Sequence, residues 1–192
     1  MRYLVFVVLQ ICLVNCSADK AMSEKEIRLF LQDPENGLIQ KMEDDDFEIE
    51  ALYRPTDFIV KQQMEKDTQR EIDSLTHAYS KYVYFTLTIT KRGKDLEADF
   101  AFDQPSFAEK ISYLSNGFSA DLRLEEEGLE HAIVDYVYTR SYGSGPSYFL
   151  LVFERPQQNK FDLVIEGYAM GFGKTRFPFY LNDIKRAPNL KF

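Results

Sequence analysis

The order of apolar and polar positions divides the chain into an early part with helical periodicity and a later part rich in strands. Residues 82–90 (YVYFTLTIT) alternate between apolar and polar side chains, which is typical of an antiparallel strand with one buried face. The same kind of pattern predicts strands at 38–42, 47–53, 121–124, 132–140, 148–154 and 161–166, with a further candidate at 176–181. Because short strands joined by tight turns favour antiparallel pairing, we expect a mostly antiparallel sheet of about six to seven strands.

The predicted helices lie mainly before this sheet. Residues 23–26 (SEKE) have the pattern of a capping box, which predicts the start of a helix that ends at Asp33-Pro34. The longest predicted helix covers about residues 56–79 and has an imperfect apolar stripe, and a weaker helical pattern covers 107–114. The expected fold class is therefore α+β, with N-terminal helices packed on the sheet.

The first residues have the features of an export signal. Arg2 supplies a positive charge, and residues 3–14 (YLVFVVLQICLV) form an apolar stretch that is shorter than the roughly 20 residues that a membrane-spanning helix needs. Residues 13–16 (LVNC) resemble the lipobox of bacterial lipoproteins, in which the leader is cleaved before a cysteine that becomes lipidated. This resemblance implies that Cys16 carries acyl chains, which would hold the protein on a membrane.

The resulting organisation is a signal peptide over 1–15, a lipidated cysteine and tether over 16–22, and a single α+β domain over 23–192. An ordinary secretory leader, cleaved near Ala18 or Ala21, is the alternative, and it would give a secreted soluble protein. An uncleaved anchor is a third possibility.

Composition and charge exclude several classes of chemistry. The only cysteines are Cys12 and Cys16, so cleavage of the leader would leave no disulfide, no thiolate zinc site and no cysteine nucleophile in the domain. The 192 residues carry a formal net charge of −8, and so acidic a surface should repel nucleic-acid phosphates. A hydrophobic content of 45% is ample for one globular core.

The motifs that suggest catalysis or metal binding are incomplete. Residues 167–175 (GYAMGFGKT) end like a phosphate-binding loop, but the first glycine is one position too early and the following residues read as strand. His77 and His131 have no partners at metal-binding spacing, and the acidic segment 43–46 lacks the spacing of an EF-hand. We therefore predict no catalytic residue, metal, nucleotide or other cofactor, and we interpret the glycine-rich segment as a hairpin loop.

Two surface features are candidates for function. Tyr84, Tyr136 and Tyr138 lie on predicted strands and would form an aromatic patch for a glycan or peptide if their faces coincide, whereas packing under the helices is the alternative. Ser74, within Asp73-Ser74-Leu75, resembles the acceptor triplet for O-glycosylation of exported Bacteroidota proteins.

Several segments together are similar to a group of uncharacterised Bacteroidota envelope lipoproteins. They are the lipobox, residues 33–38 (DPENGL), residues 53–57 (YRPTD) and the closing run 161–179 followed by Asp183-Ile184. The resemblance implies an outer-membrane lipoprotein that faces the periplasm or the cell surface, and it implies no particular activity.

The leading functional hypothesis is a lipid-anchored lipoprotein without catalytic activity that serves as an accessory or structural part of an envelope assembly. Its partners would be the membrane and an envelope protein. The alternatives are a glycan- or peptide-binding surface lipoprotein that uses exposed aromatic residues and an acid-pair hydrolase. The hydrolase would need two carboxyl groups about 5–10 Å apart in a cleft.

Overall fold

The strands of the protein form one antiparallel sheet. A computed structural model describes residues 21–44, 46–66, 68–98, 104–141 and 145–192. The signal peptide, Cys16 and most of the predicted tether lie outside these residues. Within them the strands are β1 Ile39–Glu43, β2 Phe47–Arg54, β3 Tyr82–Lys91, β4 Leu122–Glu126, β5 Leu129–Thr139, β6 Ser147–Glu154, β7 Lys160–Glu166 and β8 Lys174–Tyr180.

The strand order is β1-β2-β3-β6-β5-β4-β7-β8, and every neighbouring pair is antiparallel. The two end strands, β1 and β8, approach each other, so the sheet curls until it is nearly a barrel. The predicted strand count of six to seven is too low, because all eight candidate segments, including the one at 176–181 that lies in β8, pair into the sheet of the described residues.

The helices are distributed more widely than predicted. They are α1 Glu24–Gln32, α2 Thr56–Gln63, α3 Gln69–Tyr79, α4 Gln104–Ser115 and α5 Leu181–Lys185. The α+β class holds, but the expectation that the helices are N-terminal is wrong, because α4 lies between strands and α5 follows the last strand. No helix in the described residues is long and apolar enough to cross a membrane.

The predicted long helix over 56–79 is two helices, α2 and α3, with a break between them. The Thr68 side chain accepts a hydrogen bond from the backbone N–H of Glu71 and so caps the start of α3. The Glu71 carboxylate accepts the backbone N–H groups of Glu65 and Lys66 at 2.9 and 2.8 Å. These bonds satisfy the peptide groups of the break and allow the two helices to change direction.

Aromatic side chains fill the inside of the curled sheet. Phe85 on β3 has no exposed surface, and its ring centroid lies 4.9 Å from that of Phe179, 6.1 Å from that of Tyr53 and 6.4 Å from those of Phe153 and Phe161. Within the described residues, the other fully buried phenylalanines are Phe118, Phe149 and Phe177. Offset and edge-to-face rings at these spacings form a close-packed interior.

Candidate functional site

The outer face of strands β2, β3, β6 and β5 presents side chains in aligned rows. The register places Leu52 opposite Thr86, Thr86 opposite Leu150, and Leu150 opposite Val137. Their sequence neighbours, such as Phe85 and Leu151, point into the core, as strand alternation requires. An apolar and uncharged row therefore crosses four strands on the outside of the sheet.

Part of this row is exposed. Val137 is 46% exposed and Tyr148, in the next row towards the start of β6, is 43% exposed. A β-bulge between Ile133 and Asp135 adds Val134, which is 50% exposed. We call Val134, Val137, Tyr148 and Leu150 the apolar patch. It lies on β5 and β6, near the centre of the sheet and not on an edge strand.

Helices α2 and α3 cover the sheet surface beside the apolar patch. Tyr84 is only 3% exposed and packs with Ile59 of α2 and Val152 of β6, while Tyr79 of α3 contacts the same cluster. The Tyr84 hydroxyl donates a hydrogen bond to the Tyr79 carbonyl at 3.1 Å, and burial raises the pKa of Tyr84 to about 12. Tyr84 therefore holds the helices on the sheet.

Tyr136 and Tyr138 lie on the other face of the sheet from Tyr84. Both pack against the main core, where the Tyr138 ring stacks on Phe149 with 5.0 Å between centroids. The Tyr136 hydroxyl donates to the carbonyl of Leu114, and the Tyr138 hydroxyl donates to a Glu97 oxygen at 2.7 Å. Burial raises the pKa of both phenols. The three tyrosines singled out from the sequence do not share a surface.

Two buried carboxylates lie where the Tyr138 end of β5 meets the segment after β3. Glu97 accepts hydrogen bonds from Nε and Nη2 of Arg140 at 3.0 and 2.8 Å, in addition to the one from Tyr138. Asp95, which has no exposed surface, accepts the backbone N–H of Ala98 at 2.7 Å and the hydroxyl of Ser141 at 2.8 Å. Each carboxylate is bound by several donors, so this cluster can fasten the segment to the end of the sheet.

A third buried carboxylate, Glu126, is bound to His131. Its side chain is 1% exposed, and His131 Nε2 lies 2.8 Å from Glu126 Oε1. The backbone N–H groups of Gln157 and Gln158 donate to the other oxygen at 3.0 and 2.7 Å. Burial by itself would raise the pKa of Glu126, but the hydrogen bonds from Gln158, His131 and Gln157 outweigh it, and the pKa is lowered.

Glu126 also lines an open cleft of about 310 Å³, together with Glu125, Asp162 and Arg176. Burial opposes ionisation of Glu125, but its bonds to Arg176 and Arg123 lower its pKa as well. Acid-pair hydrolysis needs one carboxyl group that is protonated at the working pH. Glu125 and Glu126 are both held in the ionised form, so neither is suited to be that acid.

The other candidates from the sequence are separate from one another. Ser74 and His77 are both exposed on α3, and glycosylation of Ser74 remains a prediction. In the acidic turn, Asp44 Oδ1 accepts the backbone N–H groups of Asp46 and Phe47, while Asp45 lies outside the described residues. The described ranges contain no group of three or more potential metal-binding side chains.

The glycine-rich segment forms the connection between β7 and β8, as predicted. A short 3-10 turn, Tyr168–Met170, is followed by Gly171 with a φ of 100°, a conformation that favours glycine. The lysine and threonine of the motif begin strand β8 and not a helix. The segment therefore has no helix N-terminus with which to bind a phosphate.

A small pocket that the sequence pattern does not predict lies at the β2 end of the outer row. The pocket has a volume of about 70 Å³ and lies where α1 and α2 meet strands β2 and β3. Its lining includes Arg28, Leu31, Leu52, Arg54 and Phe58. The sequence holds one indication of this pocket, which is Arg54 in residues 53–57 (YRPTD). Arg54 directly precedes Pro55, where α2 begins, so its side chain lies close to that helix.

The chain matches no known family model, and it has no match among curated proteins or among solved structures.

Proposed function

We propose that the protein is a lipid-anchored component of the cell envelope, without catalytic activity of its own, which binds a protein partner through the apolar patch. The observation that carries this proposal is the exposure of Val134, Val137 and Tyr148 on a sheet face whose neighbouring area is already covered by helices. Solvent-exposed apolar groups of this kind are typical of interaction surfaces.

The filled interior favours a surface role. The rings around Phe85 occupy the space inside the curled sheet, where many proteins of similar shape hold a ligand. A partner must therefore contact the outside of the sheet.

The outside of the sheet has two different halves. On β4, β7 and β8 the outward side chains form a charged network, in which Arg123 bonds Glu125 and Glu166 at 2.8 Å each and Arg176 contacts Asp162. Around the apolar patch, the outward neighbours are threonines at 86, 88 and 139 and the exposed Asp135, so charged side chains are fewer there than in the network. Because the centres of protein interfaces are depleted in charged residues, the half with the apolar patch is the better docking surface.

The anchor is proposed from Cys16 and the residues before it. It is tested by fractionating cells that express the wild-type chain or Cys16→Ala. We expect the wild type in the membrane fraction and the variant in the soluble fraction. A wild-type protein that is soluble would contradict the anchor.

The docking surface is tested by photo-crosslinking in intact cells. A photoreactive residue is placed at position 137 or 148 in the apolar patch, or at the control position 176 in the charged network. We expect one discrete adduct of higher mass from both patch positions and none from the control. The same adduct from position 176, or no adduct from either patch position, would refute docking through the patch.

The absence of catalysis is a separate part of the proposal. It would be overturned if the purified protein converted a substrate and either Glu97→Gln or Glu126→Gln abolished that turnover.

The glycan-binding alternative gains no support from Tyr84, Tyr136 and Tyr138, because their rings are packed and their hydroxyls are hydrogen-bonded.

A further inference from the structure

Arg54 differs from the other partly buried arginines in having no bound acceptor. It is the last residue of β2, it is half-buried, and no hydrogen bond or ion pair joins its guanidinium to any of the described residues. By contrast, Arg123 and Arg140 each hold a carboxylate at 2.8 Å. A partly buried guanidinium without a protein acceptor is less favourable than one that holds a carboxylate, and its nitrogens stay open to a ligand that enters the pocket.

A second cation lies on the same pocket. Arg28 of α1 stacks over the ring of Phe58, with 5.2 Å from its guanidinium carbon to the centroid, and bonds Glu24 at 2.6 Å. Burial lowers the pKa of Arg54 and the positive charge of Arg28 lowers it further, while the negative charge of Glu24 acts in the opposite direction. An anion in the pocket would relieve both effects.

The remaining lining of the pocket is mixed: Gln32 and Thr86 are polar, and the other side chains are largely apolar. Leu31 of α1, Leu52 of β2 and Phe58 of α2 line it, and its volume is about 70 Å³. This is room for a group of a few heavy atoms that combines a charged end with a short hydrocarbon end. Binding sites commonly have this composition, with mostly apolar walls and a few polar groups that fix orientation.

We propose that this pocket binds a small organic monocarboxylate, whose carboxylate pairs with Arg54 and whose short apolar end contacts Leu52 and Phe58. The planar guanidinium can bind a carboxylate through two parallel hydrogen bonds, which a neutral amide cannot reproduce. The inference is independent of the partner surface, because the pocket lies at the β2 end of the outer row and the apolar patch at the β5 end.

The test is a titration of the purified protein with sodium butyrate at constant ionic strength, followed by NMR chemical shifts. We expect a Kd of about 1 mM for a ligand of this size. Butyramide is the neutral comparison on the wild-type protein, and inorganic phosphate is the comparison for other anions. We expect saturable shifts with butyrate and at least about tenfold weaker binding of both comparison compounds, equivalent to about 1.4 kcal/mol.

The variants are Arg54→Gln, Arg54→Lys and the exposed control Arg70→Gln on α3. Arg54→Gln should weaken butyrate binding about tenfold or more, Arg54→Lys should have an intermediate effect, and the control should bind like the wild type. Equal binding of butyrate and butyramide, phosphate binding as tight as butyrate binding, or unchanged affinity in the Arg54 variants would each overturn the proposal. The butyramide and phosphate comparisons use only wild-type protein, so a variant that fails to fold leaves the test intact.

Discussion

Replacement of Phe85 by alanine tests whether the inside of the sheet is a packed core. The Phe85 side chain is fully buried, and four aromatic rings from β2, β6, β7 and β8 surround it. Removal of the ring leaves a cavity whose walls belong to four different strands. Because those strands are fixed by their ladder hydrogen bonds, the walls cannot easily close on the cavity.

The expected loss of stability is large. Phe→Ala substitutions in well-packed cores cost about 3–5 kcal/mol, and the rigid walls place Phe85→Ala in the upper part of that range. The total unfolding free energy of a domain is roughly 5–15 kcal/mol, so the variant should lose a substantial fraction of it. Phe85→Leu removes less volume and should cost only about 1–2 kcal/mol.

Urea unfolding of the purified wild type and variants measures these differences. Leu29→Ala is the matched control, because Leu29 is 62% exposed on α1 and its truncation should change stability by less than about 0.5 kcal/mol. A Phe85→Ala protein that unfolds cooperatively with a loss below about 1 kcal/mol would refute the packed interior. The premise that partners bind only on the outside would then fail as well.

Two further predictions concern the buried carboxylates. Because the pKa of Glu126 is lowered in the folded protein, its stabilising contribution is present above its ordinary pKa of 4.5 and is lost as the pH falls through the lowered value. The unfolding free energy of Glu126→Gln should therefore be about 1–3 kcal/mol below that of the wild type at pH 7. The two values should converge as the pH falls below 4.5. A difference that does not change with pH would contradict this reasoning. Tyr138→Phe removes one hydrogen-bond donor to Glu97 and should lower the unfolding free energy by about 1.5–3 kcal/mol, measured by urea unfolding at pH 7. A loss no greater than that of Leu29→Ala would show that the bond contributes little.

Alternation along the chain predicted the strands well but could not decide which faces of different strands coincide. The pattern of β3 correctly separates Phe85 from Tyr84, yet it cannot reveal that α2 and α3 fold back over Tyr84. In β5, the bulge at Val134 shifts the parity of the strand, so Ile133, Tyr136 and Tyr138 all face the core. A bulge depends on the pairing with β6, which local sequence does not specify.

The break between α2 and α3 had a signal in the sequence. Thr68 and Glu71 have the spacing of a helix start, and the structure uses both side chains to build the break. No glycine or proline marks the segment, so the apolar stripe alone suggested one continuous helix.

The buried polar clusters and the Arg54 pocket depend on tertiary contacts. Glu126 and His131 are close in sequence, but their role needs the backbone N–H groups of Gln157 and Gln158 from a distant turn. Arg54 and Arg28 lie on different elements, and only the packing of α1 on β2 brings them to one pocket. The order in which the strands and helices pack determines which distant residues become neighbours. The periodicity of apolar residues within one element carries no information about that order.

The most direct test of the docking surface is cysteine labelling at position 137. The only natural cysteines are Cys12 and Cys16, so Val137→Cys introduces the one thiol of the folded domain. Tyr168→Cys, at a side chain that is 68% exposed in the β7–β8 connection, is the control. Labelling by a maleimide is compared between isolated envelopes without detergent and the purified protein. We expect position 137 to react slowly in envelopes and fast after purification, while position 168 reacts fast in both. Equally fast labelling of position 137 in both samples would contradict docking through the apolar patch.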